Sequence, residues 1–192
     1  AASPRSIAGV REDAAFRTNL ILTNTAPLDH TVNVALLDGD GVQLATKSYA
    51  LKPLGMTQVT QVVRDLGVPA DLQNAVLVLS TVRQDAAFTA YASVIDRTTN
   101  DPRTLLPAPA TPGGAWILPS SARSPGQGGA FYTTQLTIAN RAATDAAVTL
   151  EFLGHDVDGR GGAQQAVNLE AGKGTTWADV LGGVFGVSSG YG

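Results

Sequence analysis

The segment from Phe16 to Leu37 is written a second time from Tyr132 to Leu153, and this internal duplication constrains the fold more than any other feature of the chain. Laid over each other without a gap, at an offset of 116 residues, the copies match at Thr18 and Thr134, Leu20 and Leu136, Asn24 and Asn140, Ala26 and Ala142, Asp29 and Asp145, Val32 and Val148, and Leu37 and Leu153. That is seven identities in 22 positions. A unit this long, with turns and strands of its own, describes a duplicated domain, because solenoids repeat every 20 to 50 residues or so. The 192 residues then divide into a first module over 1–107 and a second over 108–192, each able to bury a core without staples.

The pattern inside each copy is that of strands. Phe16, Thr18, Leu20 and Leu22 alternate with Arg17, Asn19, Ile21 and Thr23, and Val32, Val34 and Leu36 alternate with Thr31, Asn33 and Ala35. A period of two buries one face of a strand. The turn formers Asn24 to His30 join the pair, and Asn140 to Asp145 do the same in the second copy. Asp-Gly and Gly-Gly steps at 38–41 and 154–162 supply tight turns before further strands at Val42–Leu51 and Ala163–Leu169. From Thr57 the period changes: Val59, Val62, Val63 and Leu66 have helical spacing, with Thr57 as N-cap and Gly67 as stop. Thr176 to Gly186 repeats this, with Trp177, Val180 and Leu181 on the apolar stripe, at an offset of 119 that implies about three extra residues in the preceding turn.

Two more strands are expected in the first copy, a central one at Asn74–Val82 and another at Phe88–Ile95, followed by a Pro-, Thr- and Gly-rich linker over Thr98–Gly114. By the same offset Gly192 corresponds to Gln73, so the second copy lacks both strands and exposes apolar faces and strand edges. Three accounts stand beside one another. The chain is a piece of a longer protein or has lost its tail; a strand from a neighbouring copy or partner completes the second module, giving a homodimer; or the two copies share one continuous sandwich.

The runs Phe131–Asn140, Ala147–Phe152, Leu169-Glu170-Ala171-Gly172, Trp177–Leu181 and Val184-Phe185-Gly186 resemble a repeat of secreted multidomain bacterial proteins. Those repeats are immunoglobulin-like β-sandwiches of mostly unassigned function, often in tandem beside proteases or at cell surfaces. The resemblance implies an all-β chain of two tandem immunoglobulin-like β-sandwich modules, each with one short helix, the second incomplete. Its motifs are structural, so it brings no catalytic residue.

The function classes narrow accordingly. Charged residues are 15% of the chain, the net charge is -3, and Lys and Arg are scattered, which leaves no footprint for nucleic acid. There is no cysteine for a disulfide, a thiolate nucleophile or a thiolate metal site. No stretch approaches the ~20 apolar residues of a membrane helix, and no signal-peptide pattern opens the chain; Ala1-Ala2-Ser3-Pro4 fits the product of a cleavage or an arbitrary start. The two histidines, His30 and His155, fall at non-equivalent turns, and no nucleophile elbow exists. Ser120 to Ser124 sit where hydroxyls cap turns, and Glu12, Asp13, Glu151 and Glu170 read as solvated charge rather than a glycosidase pair. No catalytic residue and no cofactor are assigned, and the chain is expected not to be an enzyme.

Two candidate sites remain. Asp38 and Asp40, with Asp156 and Asp158 at the equivalent turn, offer closely spaced oxygens of the kind calcium takes, although Asp-Gly turns explain the same residues without a metal. Among the rings, Trp177 and Tyr132 fall on buried faces, whereas Trp116, after Gly113-Gly114 at the junction, is the candidate ligand contact. The expected role is a non-catalytic module, extracellular or in the periplasm or cell envelope, that spaces, adheres or binds a protein or cell-surface polymer. The alternative is a carbohydrate-binding or calcium-assisted ligand-binding module.

Overall fold

A computed structural model describes residues 4–69, 71–83, 85–109 and 114–192. Ala1 to Ser3 and residues 110–113, Gly113 among them, lie outside the described residues. The chain is all-β with antiparallel pairing throughout, and its contacts separate two compact units, Ala1–Pro112 and Gly113–Gly192.

The first unit contains β1 (Arg5–Glu12), β2 (Phe16–Asn24), β3 (His30–Leu37), β4 (Gln43–Leu51), β5 (Met56–Val59), α1 (Val62–Asp65), β6 (Leu72–Ser80), β7 (Phe88–Asp96), β8 (Pro102–Leu105) and β9 (Ala108–Pro109). One sheet runs β4-β3-β6-β1-β9 and the other β5-β2-β7-β8. Both contribute alternate residues to one apolar cluster: Ile7, Val10, Val32, Val34, Leu36, Ala75, Leu77 and Leu79 from the first, and Leu20, Leu22, Val59, Ala90 and Ala92 from the second. A period of two in each strand is what lets two sheets bury one face each against a shared core. β6 is central as expected, with β1 on one edge and β3 on the other.

The second unit contains β10 (Ala122–Pro125), a 3-10 turn at Gln127–Gly129, β11 (Phe131–Tyr132), β12 (Leu136–Ala139), β13 (Ala146–Phe152), β14 (Ala163–Leu169), β15 (Gly174–Trp177), α2 (Val180–Gly183) and β16 (Gly190–Tyr191). Here the sheets are small: β11-β10-β16, β12-β15 and β13-β14.

Four expectations are corrected. The helix expected from Thr57 is strand to Val59, because Met56–Val59 pair with Thr23–Leu20, and only the single turn Val62–Asp65 is helical before Gly67 turns left-handed at φ +81°. Trp177, expected on a helical stripe, ends β15 opposite Leu136, and α2 begins three residues later behind Asp179. The linker over 98–114 contains β8, paired with β7, and β9, whose Ala108 and Pro109 pair with Ser6 and Arg5 of β1. Glu12, expected in solvent ahead of the first strand, ends β1 with no exposed surface, and Asp13 is buried beside it.

Candidate interaction site

A matched pair of asparagines organises both units. Asn24 is buried; its amide donates to Leu28 O at 2.7 Å and Lys52 O at 2.8 Å, and its side-chain oxygen accepts from Ala26 N at 2.8 Å. Asn140 is also buried and donates to Thr144 O at 2.9 Å, Leu169 O at 2.9 Å and Glu170 O at 3.2 Å, while accepting from Ala142 N at 3.0 Å. Asn24 N bonds Gly55 O and Leu54 N bonds Ala26 O, as Asn140 N bonds Lys173 O and Gly172 N bonds Ala142 O. In each unit one side chain thus closes its own turn and pins it to the turn between the next two strands. That turn needs a left-handed residue, supplied by Leu54 at φ 53° in one unit and Gly172 at φ 75° in the other.

The ladders follow the same plan. β2 pairs with β5 as β12 pairs with β15, and β3 with β4 as β13 with β14. The turn after β13 is longer: Leu36 opposes Ala45 across eight intervening residues, and Phe152 opposes Ala163 across ten. Each unit also ties its first strand to the helix through opposite charges, with the signs exchanged. In the first unit β1 supplies the acid, Glu12, whose Oε2 accepts from Val63 N at 3.4 Å and whose Oε1 lies 3.7 Å from Arg64 Nε. In the second β10 supplies the base: Arg123 Nε donates to Asp179 at 2.7 Å, and Asp179 caps α2 by accepting from Gly182 N at 2.9 Å. Burial raises the Glu12 carboxyl above its ordinary value, whereas the Gly182 amide and then Arg123 hold that of Asp179 below it.

The difference between the units lies in what covers them. β3 is flanked by β4 and β6, and β2 by β5 and β7. Among the described residues, β13 pairs with β14 alone and β12 with β15 alone. Val32, Val34 and Leu36 are fully buried, while their counterparts Val148, Leu150 and Phe152 are only half-buried. β16 occupies the start of the course that β6 follows: it pairs with β10, Tyr191 O accepts from His155 N at 2.9 Å, and Gly192 sits hard against Phe152 and Leu153. Along Ala146–Glu151 the edge of β13 has no such neighbour among the described residues. An open edge beside a half-covered apolar face is a template for strand pairing.

The candidates from sequence fall elsewhere. Asp38 Oδ1 accepts from Asp40 N at 3.0 Å and Val42 N at 2.9 Å, so its carboxylate closes the turn. Asp158 is held by Arg160 Nε at 2.9 Å and Arg160 N at 3.0 Å, which keeps its carboxyl below the usual range, and Asp156 lies 3.2 Å from His155 Nδ1. Among the described residues, no three acidic, histidine or cysteine side chains gather as a metal site would require. Trp116 is 69% exposed. Tyr132, expected on a buried face, is 59% exposed in the short β11, and Trp177 is half-buried. His30 is buried with its ring 6.2 Å from Phe88. Ser124 Oγ meets Tyr191 Oη at 2.7 Å and Ser121 Oγ donates to Gly192 O at 3.2 Å, so the serine run fastens β10 to β16. Among the described residues, no helix is long and apolar enough to cross a membrane.

Sequence reasoning missed β1, β10 and β16. The alternation of β1 is broken by register shifts on either side of Val10 and by Gly9 at φ 80°, which erases the period that would have marked it.

No family model matches the chain, and no curated protein matches it. A solved structure titled as that of Thermotoga maritima 1070 is similar to part of it, with a TM-score of 0.43 and 13% identity over 56% of this chain and 91% of that one.

Proposed function

We propose that the chain is a pair of tandem immunoglobulin-like β-sandwich modules that act outside the cytoplasm, at a bacterial cell surface or envelope, as a non-catalytic interaction element. The pairings of the first unit support the fold: β2 with β5 and β3 with β6 are the B–E and C–F pairs at the heart of that sandwich, with β4 alongside β3. The flanking strands are exchanged, since β1 takes the position beside β6 that strand G would hold, and β7 the position beside β2 that strand A would hold. The observation that carries the function is the buried asparagine matched in the two units, Asn24 and Asn140, each of which spends its side chain on fastening two turns together, as a rigid spacing and interaction module requires.

A second reading, carbohydrate binding, draws on the exposed Trp116, a flat ring of the kind on which sugars stack. One experiment separates the two. The immobilised chain is exposed to bacterial envelope fractions digested with either protease or glycan hydrolases, and binding is followed by interferometry. Loss of binding after protease supports the protein-interaction reading. Loss after glycan digestion, together with loss in W116A, supports the carbohydrate reading. Turnover of a peptide, ester or glycoside substrate, abolished by one substitution in this chain, overturns both.

A further inference from the structure

We infer that the outward face of the β5-β2-β7-β8 sheet in the first unit binds a neutral glycan, an extended β-1,4-linked chain that stacks on Tyr91 and bonds the hydroxyl and amide side chains around it. The assignment rests on the carbohydrate reading above and gives it a binding face on residues other than Trp116. This sheet buries Leu20, Leu22, Val59, Ala90 and Ala92 on its core side. Strand alternation therefore turns Ile21, Gln58 and Tyr91 the other way. The ladders set these three in one row, with Ile21 opposite Gln58 on one strand and Tyr91 on the next. Thr23 and Thr89 oppose each other in the adjoining row, and Ser93 and Thr104 do so on the far side of Tyr91.

Ring, hydrogen-bonding groups and charge all point to sugar. Tyr91 is 40% exposed and stands beside Ile21, which is 8% exposed, so an accessible aromatic ring adjoins a nearly closed apolar floor. Such a ring offers the apolar face of a pyranose a stacking partner. Thr23, Gln58, Thr89, Ser93 and Thr104 spend no side-chain donor or acceptor on another described residue, and neither does the Tyr91 hydroxyl. Each of these groups can both donate and accept, as a sugar hydroxyl does. In the second unit the matching row closes on itself instead: Thr137 opposes Thr176 with their hydroxyls 2.9 Å apart. Among the described residues, Arg17 is the one charge turned to this face, at the start of β2, so an anionic polymer finds little to hold it. Four strands about 4.8 Å apart make the face about 14 Å wide, room for a short run of rings laid across them. A β-1,4 linkage keeps such a run straight and flat, as an open sheet face requires.

The test titrates the full chain with cellohexaose and with N-acetylchitohexaose and follows amide chemical shifts. Expected is saturable binding of at least one probe, with the shifts concentrated on Ile21–Thr23, Met56–Gln58, Thr89–Ser93 and Thr104. Tyr91→Ala should weaken binding about tenfold or more, whereas Tyr91→Phe, which keeps the ring, should cost no more than about threefold. Thr104→Val, with its fold checked by circular dichroism, should weaken binding about two- to tenfold while preserving the shape of the face. Absence of binding by both probes to the native chain overturns the inference. Binding that W116A abolishes and Y91A leaves intact also overturns it and returns the sugar to Trp116, so the carbohydrate reading survives that failure. Tighter binding of carboxymethylated cellohexaose than of cellohexaose overturns the neutral class. A chain dimeric at the working concentration that Y91A renders monomeric overturns the assignment as well and gives the face to a second copy.

Discussion

Replacing Asn24 by alanine orphans three groups at once. Ala26 N is buried and loses its acceptor, while Leu28 O and Lys52 O lose a donor but lie near enough to the surface for water to replace part of what is lost. A buried unpaired amide costs roughly 1 to 3 kcal/mol, and each partly rehydrated carbonyl about 0.5 to 1 kcal/mol, which together come to about 3 kcal/mol. For a domain of this size that corresponds to a fall of roughly 10 °C or more in the melting midpoint. Asn140→Ala should cost its own unit a similar amount, since the Asn140 amide serves three carbonyls. The assays are distinct because Trp116 and Trp177 are the only tryptophans and both belong to the second unit. N140A must therefore shift the tryptophan fluorescence transition, whereas N24A is read by far-ultraviolet circular dichroism. Asn24→Asp sharpens the test. At pH 7 its carboxylate would face two carbonyls and destabilise more than alanine does, and near pH 4 protonation restores a donor and part of the loss. Losses below about 0.5 kcal/mol in both alanine variants, or an N24D variant as stable as the parent at pH 7, would refute the reasoning.

Leu54 holds a left-handed conformation while 70% exposed, so Leu54→Gly should raise stability by about 0.5 to 1 kcal/mol. Gly172→Leu, at a position where a Cβ meets nothing within 4 Å, should lose about 1 to 2 kcal/mol through backbone conformation alone; chemical denaturation of both variants is the check. For Glu12 the carboxyl is raised, so the native state favours its protonated form, and the associated stability is present at low pH and lost as pH rises through the folded value. Glu12→Gln should therefore gain on the parent between pH 4 and 7, and a gap that is flat or reversed across that range would contradict the assignment. For Asp179 the carboxyl is lowered, so its contribution is present at neutral pH and lost in acid. Asp179→Ala should lower the tryptophan-monitored midpoint at pH 7 and make less difference as the pH falls through the acid range.

The parts of the fold legible in the sequence are those where local pattern and tertiary demand coincide. β2, β3, β6 and β7 each bury alternate or continuous apolar residues, so their period announced them, and Asn24 with Asn140 stood out because the same turn had to be built twice. Where local and tertiary demands diverge, the pattern misleads. Val59, Val62, Val63 and Leu66 have helical spacing, yet Val59 belongs to a ladder opposite Leu20 and the other three to one helical turn and its end, all on the same core. β1 was hidden by its bulges, and with it Glu12, whose partners Val63 and Arg64 lie far along the chain. Of the candidate site, the pairing of β13 with β14 and the turn at Asn140 could be foreseen from the repeat. The course of β16 beside β13 could not, because two paired residues carry no period.

Residue-resolved amide exchange of the native chain tests the central claim most directly, that β13 repeats β3 with one neighbour in place of two. Amides along Asn33–Leu37 should be protected without interruption, since β4 and β6 take alternate N–H groups from the two edges of β3. Along Ala147–Glu151 protection should alternate, with every second amide exchanging at close to the rate of an open strand. Unbroken protection across Ala147–Glu151 in a monomeric chain, or no protection there at all, would contradict the account.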